Sequence, residues 1–198
     1  DTNGDGDESS PSKGDWTGIK LTDTDGENIL DNVVVKYASA TINSESSNLT
    51  LTNSTISDNS SVLFLWNNSS ATITGNAIID NSGVGIYLRE SSHADILDNT
   101  ISDNGGSGIQ LRGSSPEITN NLITGNSANS YGGAIYCYNS SPTIINNTIT
   151  GNSANSYGGG IYCCSNSSAT ITNTILWNNS PQEMYFSASG NPNTVTIS

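Results

Sequence analysis

EITNNLITGNSANSYGGAIYC at 117–137 and TIINNTITGNSANSYGGGIYC at 143–163 are one unit written twice, 26 residues apart. The stretch GNSANSYGG is identical at 125–133 and 151–159. Self-similarity at a fixed period of roughly 20–50 residues marks a repeat architecture. Outward from this pair the unit persists at 22–23 residues. One strand starts at GIKL (18–21), VLFL (62–65), GIYL (85–88), GIQL (108–111), AIYC (134–137), GIYC (160–163) and EMYF (183–186), with a weak copy, ATIN, at 40–43. A second strand carries Ile-x-x-Asn-x-Ile: Ile73/Asn76/Ile78, Ile96/Asn99/Ile101, Ile118/Asn121/Ile123 and Ile144/Asn147/Ile149. Ile29/Asn32/Val34 fits it too, and Ile171/Asn173/Ile175 is one residue shorter.

Apolar and polar residues alternate within each short segment, so one face of each strand is buried. Leu65, Leu88 and Leu111 then point inward on successive turns of the chain. Strands this short pair with their own copies one repeat on, which makes parallel sheets coiled into a solenoid. The expected fold is all-β: a parallel β-helix of about eight rungs over 15–198, on the order of 40 Å long at a rung spacing of about 4.8 Å. Asn59, Asn81, Asn104, Asn126, Asn152 and Asn178 each follow the last inward Ile by three residues. They are expected to take the left-handed corner conformation and to bond from rung to rung, and Asn76, Asn99, Asn121 and Asn147 to form a separate internal ladder.

Composition agrees. Only 33% of residues are hydrophobic and 12% charged, which suits disorder or a solenoid whose rungs each need few inward side chains; periodicity decides for the solenoid. The net charge is -13, and the only basic residues are Lys13, Lys20, Lys36, Arg89 and Arg112. A phosphate-tracking nucleic-acid surface needs clustered Lys and Arg, so nucleic acid is excluded as a partner. Membrane insertion is not expected, since no apolar run approaches the roughly 18 residues of a spanning helix. The chain starts at Asp1 without Met and reads as processed or trimmed.

At these residues the sequence resembles known families. The Ile-x-x-Asn-x-Ile and Gly-Ile-x-Leu repeats resemble the pectate-lyase-like superfamily of right-handed parallel β-helices. ITGNSANSYGGAIY (123–136) is similar to the GGAI repeats of chlamydial polymorphic outer-membrane proteins, and NTILWNNSPQEMYFSASGNPNTVTIS (173–198) resembles the end of the β-helix in bacterial choice-of-anchor surface proteins. The resemblance implies an extracellular or cell-surface protein. It does not choose among lyases, hydrolases, adhesins and spacers, which share this fold.

Several residues are candidate sites. Asp1, Asn3, Asp5 and Asp7 set oxygen ligands at alternate positions, like the start of a calcium loop, but the twelfth position is Ser12 rather than Glu. Calcium is thus the one candidate cofactor, and the alternative is an acidic linker over 1–14. Asp58, Asp80 and Asp103 form an outward column that reads as a solvated face, or else as a calcium site or the acidic cleft of a polysaccharide lyase or hydrolase; it is not sustained, becoming Gly125, Gly151 and Trp177 further on. Arg89 and Arg112, with Glu90, His93 and Asp95, are the one patch with the ingredients of a lyase, or else an ion-paired rim. Phe64, Tyr87, Tyr136, Tyr162 and Tyr185 form an outward aromatic column interrupted by Gln110 and are the best candidate binding surface, for glycans or a protein partner.

Cys137 and Cys163 replace the inward Leu on successive rungs, within reach of a disulfide or as two stacked thiols, and Cys164 is expected outward and free. The glycosylation candidates are Asn48, Asn53, Asn59, Asn67, Asn68, Asn139, Asn146, Asn166 and Asn178, most of them arising by chance in a chain so rich in Asn, Ser and Thr. Thr-x-Thr at 50–52, 72–74 and 170–172 is broken by Asp95, Leu97, Glu117 and Ile145 and makes no continuous array. The leading expectation is a non-enzymatic structural or adhesive solenoid, self-associating head to tail through its ends or cut from a longer surface protein. The rival is a carbohydrate-binding module, lyase or hydrolase on the same fold.

Overall fold

A computed structural model describes residues 10–61, 63–188 and 193–198. Every described element is a strand, and the strands sort into three long parallel sheets of eight, eight and seven, plus a small pair. The first sheet runs from Ile19–Thr22 to Met184–Phe186, the second from Glu27–Asp31 to Thr194–Ile197, and the third from Val34–Lys36 to Ile175–Trp177. Each of the first seven rungs contributes one strand to each sheet, and the eighth contributes to the first and second only. Eight rungs give seven steps, about 34 Å of rod at about 4.8 Å each. The weak copy at 40–43 is a full member: Ile42–Glu45 pairs with Ile19–Thr22 on one side and Leu63–Trp66 on the other.

Identical residue types stack in register inside the triangle. In the first sheet Leu65, Leu88, Leu111, Cys137 and Cys163 form one buried file. Leu51, Ile73, Ile96, Ile118, Ile144 and Ile171 form the file of the second. Val35, Ile56, Ile78, Ile101, Ile123 and Ile149 form that of the third. A rung therefore buries only a handful of side chains, which is why so polar a chain closes a core.

Each corner is built from two residues with different tasks. The first takes a left-handed backbone: Asp58, Asp80, Asp103, Gly125, Gly151 and Asn178 at one corner, Asn53, Gly75, Asp98, Asn120 and Asn146 at another. Gly, Asn and Asp pay least for that conformation. The second turns a polar side chain inward, and these side chains form ladders. Asn76, Asn99, Asn121 and Asn147 make one, and Asn59, Asn81, Asn104, Asn126, Asn152 and Asn179 the other, all buried. The amide oxygen of each Asn accepts both the backbone N–H and the Nδ2 of the Asn one rung before, as Asn99 Oδ1 does from Asn76 at 2.9 and 3.0 Å. At the third corner Ser47, Ser69, Ser92, Ser114, Ser140 and Ser167 do the same more weakly. That ladder breaks once: the Ser92 N–H turns to the Arg89 carbonyl, and Ser114 Oγ is buried without a partner.

Four expectations are corrected. Ile-x-x-Asn-x-Ile is not one strand but two, in different sheets, with the Asn at the bend, as in Ser70–Thr74 and Ala77–Ile79. The ladder Asn are not the left-handed residues; the residue before each of them is. In the first rung Leu30 and Val35, not Ile29 and Val34, face the core, leaving Ile29 and Val34 exposed. In the last full rung Thr174 and Leu176 take the places read as Asn173 and Ile175, and Asn179 that read as Asn178. Both slips have one cause: Ile29 and Ile175 are apolar but exposed, which hydropathy alone does not reveal.

Candidate functional site

The two 26-residue rungs are longer because the chain makes an extra excursion between the third and first sheets. Ser127–Ala128 and Ser153–Ala154 pair with each other as a small outer step. The chain then doubles back directly over its own strand. Gly132 has φ +63°, and a Cβ there would lie 2.7 Å from the Ile135 carbonyl; a Cβ on Gly133 would lie 2.4 Å from the Gly159 carbonyl. Only glycine fits so close an approach. The excursion lays Tyr131 and Tyr157 onto the outward face of the first sheet.

Those two rings rebuild the aromatic column. Tyr131 stacks on Tyr162 at 4.6 Å between centroids and Tyr157 on Tyr185 at 4.3 Å. Tyr136, Tyr162 and Tyr185 follow one another at 5.6 and 5.8 Å. The outcome is a two-row tyrosine plate in which Tyr162 is 7% exposed while Tyr131 and Tyr157 stand at the surface, 38% and 42% exposed. The column is interrupted at Gln110, as its sequence requires. Phe64 and Tyr87 form a separate pair at 5.0 Å, with Trp66 stacked on Phe64, and Gln110 holds the position between Tyr87 and Tyr136. Tyr131 and Tyr157 escaped the sequence reading; the signal was the Tyr of SYGG, repeated in both copies outside the strand pattern.

Arg112 lies beside the near end of the plate, its guanidinium carbon 5.8 Å from the ring centres of both Tyr136 and Tyr138. An open groove of about 380 Å³ runs over Gln110, with Arg112, Tyr131 and Tyr136 on its walls. A second, of about 400 Å³, lies on the far side of Arg112 against Tyr87, Arg89, Glu90 and Tyr138. Burial pushes the Tyr136 hydroxyl well up, helped by Cys164 beside it, and burial also raises that of Tyr162.

Of the remaining candidates, Arg89 and Glu90 reach this face, on the wall of the second groove, and the others lie elsewhere. Arg89 is ion-paired to its neighbour Glu90. His93 Nε2 meets Asp95 Oδ1 at 3.3 Å, but both belong to the second sheet. The Asp58, Asp80 and Asp103 column is the left-handed corner, which also explains its continuation as Gly125, Gly151 and Asn178. Burial works to raise the Asp58 carboxyl, and Lys36 at 3.2 Å, the Ser57 hydroxyl and Lys13 outweigh it, so it ends lowered. Lys13 also donates to the Asp80 carbonyl at 2.6 Å, which ties the described part of the 1–14 segment to this corner. Asp1, Asn3, Asp5 and Asp7 lie outside the described residues. Among the described residues no group of three or more His, Cys, Asp or Glu is placed to hold a metal ion.

Cys137 and Cys163 stand in register as buried free thiols, and contact with the Cys163 thiol together with burial raises Cys137 well above the ordinary thiol value. Cys164 is not the exposed thiol expected of an outward position: it is 7% exposed, its Sγ 3.8 Å from the Tyr136 hydroxyl. Eight of the nine sequon asparagines are exposed; Asn59 is fully buried, its amide bound into the ladder, and offers no acceptor in the folded protein.

The family model described as a right handed beta helix region matches residues 7–149, and the chain belongs to that family. The Chlamydia polymorphic membrane protein repeat matches residues 148–164, across the second GNSANSYGG. No curated protein and no solved structure matches the chain significantly. Fold and repeat together point to a β-solenoid of the surface or outer-membrane type. No helix among the described residues is long and apolar enough to cross a membrane.

Proposed function

We propose that this chain is a rigid extracellular or cell-surface rod that acts through its shape and its outer face, in a structural or adhesive role, and turns over no substrate. The observation that carries this reading is the tyrosine plate, an ordered, partly exposed aromatic surface built by a dedicated excursion of the chain. Monomeric proteins seldom expose large aromatic clusters without an interaction to serve. The acid and base candidates support it as well: Arg89 with Glu90 and His93 with Asp95 are each engaged with a sequence neighbour. Self-association belongs to the same reading, because terminal rungs of a solenoid carry strand edges that template a second copy.

Small-angle scattering and electron microscopy of the purified protein test the rod, with length per particle reporting end-to-end growth. A particle with no long axis refutes the rod. Turnover of pectate or alginate, lost in Arg112→Ala, would replace this reading with that of a lyase.

A further inference from the structure

The aromatic ladder of the first sheet lacks one ring. Phe64 and Tyr87 stack, Tyr136, Tyr162 and Tyr185 stack, and between the two groups, in register with both, stands Gln110. Tyr87 and Tyr136 are thus two rungs apart, about 10 Å, where neighbouring rings of the ladder sit 5.0 to 5.8 Å apart. A ligand ring over Gln110 would lie against Tyr131 and Tyr136, the two rings that line the groove there. The groove runs over this step, and its volume lies at the lower end of the range for small-molecule sites. Its other walls supply Ser107, Asn129 and Ser130, whose groups bond hydroxyls.

Charge narrows the ligand. Among the described residues the ion pairs are Lys36 with Asp58, Arg89 with Glu90 and His93 with Asp95; Arg112 has no carboxylate partner. It lies between two tyrosine rings at the mouth of both grooves, in a chain of net charge -13. A guanidinium near ring faces, with no carboxylate partner of its own, keeps its N–H groups for a bidentate bond to a carboxylate. A polyanion is repelled by the field of the whole chain far more than a single acidic ring on a neutral glycan, whose one charge can be met by Arg112.

We propose that the step at Gln110 is a glycan-binding site that takes one carboxylated pyranose at the end of an otherwise neutral oligosaccharide, its ring over Gln110 against Tyr131 and Tyr136 and its carboxylate on Arg112. The proposal rests on the adhesive reading and gives it a ligand; its failure leaves the rod, which scattering tests separately.

Calorimetric titration with sialyllactose, with a neutral disaccharide capped by glucuronic acid, with lactose and with polygalacturonate tests it. The expected result is saturable binding of at least one acid-capped probe, and weak or no binding of lactose and the polyuronate. Arg112→Gln should weaken binding roughly ten- to hundredfold, the worth of one charged hydrogen-bonded pair. Gln110→Tyr, which completes the ladder and fills the step, should abolish binding while the protein melts no lower; Tyr131→Ala is a second lesion on the opposite wall. Lys20→Gln, on the same sheet but far from the groove, should bind as wild type. Absence of binding by both acid-capped probes at millimolar concentration, equal binding by Gln110→Tyr, or tighter binding of the polyuronate would each overturn the proposal.

Discussion

Replacing Asn121 with Leu is the sharpest test of what holds the rungs together. Asn121 sits in mid-ladder, 2% exposed. Its Oδ1 accepts from the Asn99 N–H at 2.9 Å and Asn99 Nδ2 at 3.0 Å. Its Nδ2 reaches the carbonyls of Ile96 and Thr119 and Asn147 Oδ1, at 2.9, 3.0 and 3.0 Å. Leu has similar bulk and makes none of these contacts. Two accepted bonds and two donated protons, one of them shared between acceptors, amount to about four hydrogen bonds at about 1 kcal/mol each, a loss of about 4 kcal/mol. Burying the Leu side chain returns about 2 kcal/mol, so the net destabilisation is about 2 kcal/mol.

The loss cannot be repaired by repacking. Most of the partners are backbone groups, and the Asn99 N–H is left buried with no acceptor, whereas a side-chain pair replaced on both sides can be nearly neutral. Urea unfolding followed by circular dichroism should show a lower midpoint with an unchanged slope. Asn121→Asp adds a second signature. The carboxylate still accepts from Asn99 but is buried without a counter-ion against Asn147 Oδ1. Folding then favours the protonated form, so this variant should lose most stability at neutral pH and recover as pH falls. A midpoint for Asn121→Leu within about 0.5 kcal/mol of wild type, the range of ordinary surface changes, would refute the ladder as a source of stability.

Two further outcomes follow from the core and the plate. Ile123→Asp puts an unpaired charge into a fully buried file of the third sheet and should cost more than about 4 kcal/mol; thermal melting like that of wild type would contradict the inward register. Tyr136 and Tyr162 are raised by burial, so the folded state holds their protons more tightly than the unfolded chain, whose tyrosines titrate near about 10. That contribution is fully present below about pH 10 and is lost as pH rises through the higher folded values. Ultraviolet titration of the native protein should show a late-ionising class, with denaturation accompanying it. All eight tyrosines ionising together near pH 10 without loss of structure would refute the buried plate.

The strand repeat was legible because its physics is local: alternation within a strand and recurrence between rungs are both written in the chain, and Leu65, Leu88 and Leu111 stack as their spacing requires. The asparagine ladders were legible for the same reason, one residue out of place. The left-handed residue and the inward residue are adjacent, and in Asp58-Asn59 or Asn120-Asn121 both are of types that suit a corner, so composition alone does not divide the two tasks. The serine ladder went unread because Ser47, Ser69 and Ser92 are common surface residues whose burial follows only from the turn of the chain around them.

The site was legible in its strand half and not in its loop half. Tyr87, Gln110, Tyr136 and Tyr162 share a column by strand register, which sequence spacing conveys. Tyr131 and Tyr157 join it only because Gly132-Gly133 and Gly158-Gly159 let the excursion fold back within contact of the sheet. In the sequence, the three or four extra residues around GNSANSYGG show only as a repeat of 26 residues in place of 22–23. In space they change the chemistry of the face: they bury Tyr162 and wall the groove beside Arg112 with a second tyrosine. Insertions in a solenoid are where such novelty is least costly, because each rung contacts only its neighbours and the core files continue unchanged beneath. The missing ring at Gln110 lies at the step where those insertions begin, so the groove has an aromatic wall on one side and an open floor on the other. An unbroken ladder would have sealed that step; the interruption, rather than the repeat, is what gives this rod a place for a ligand.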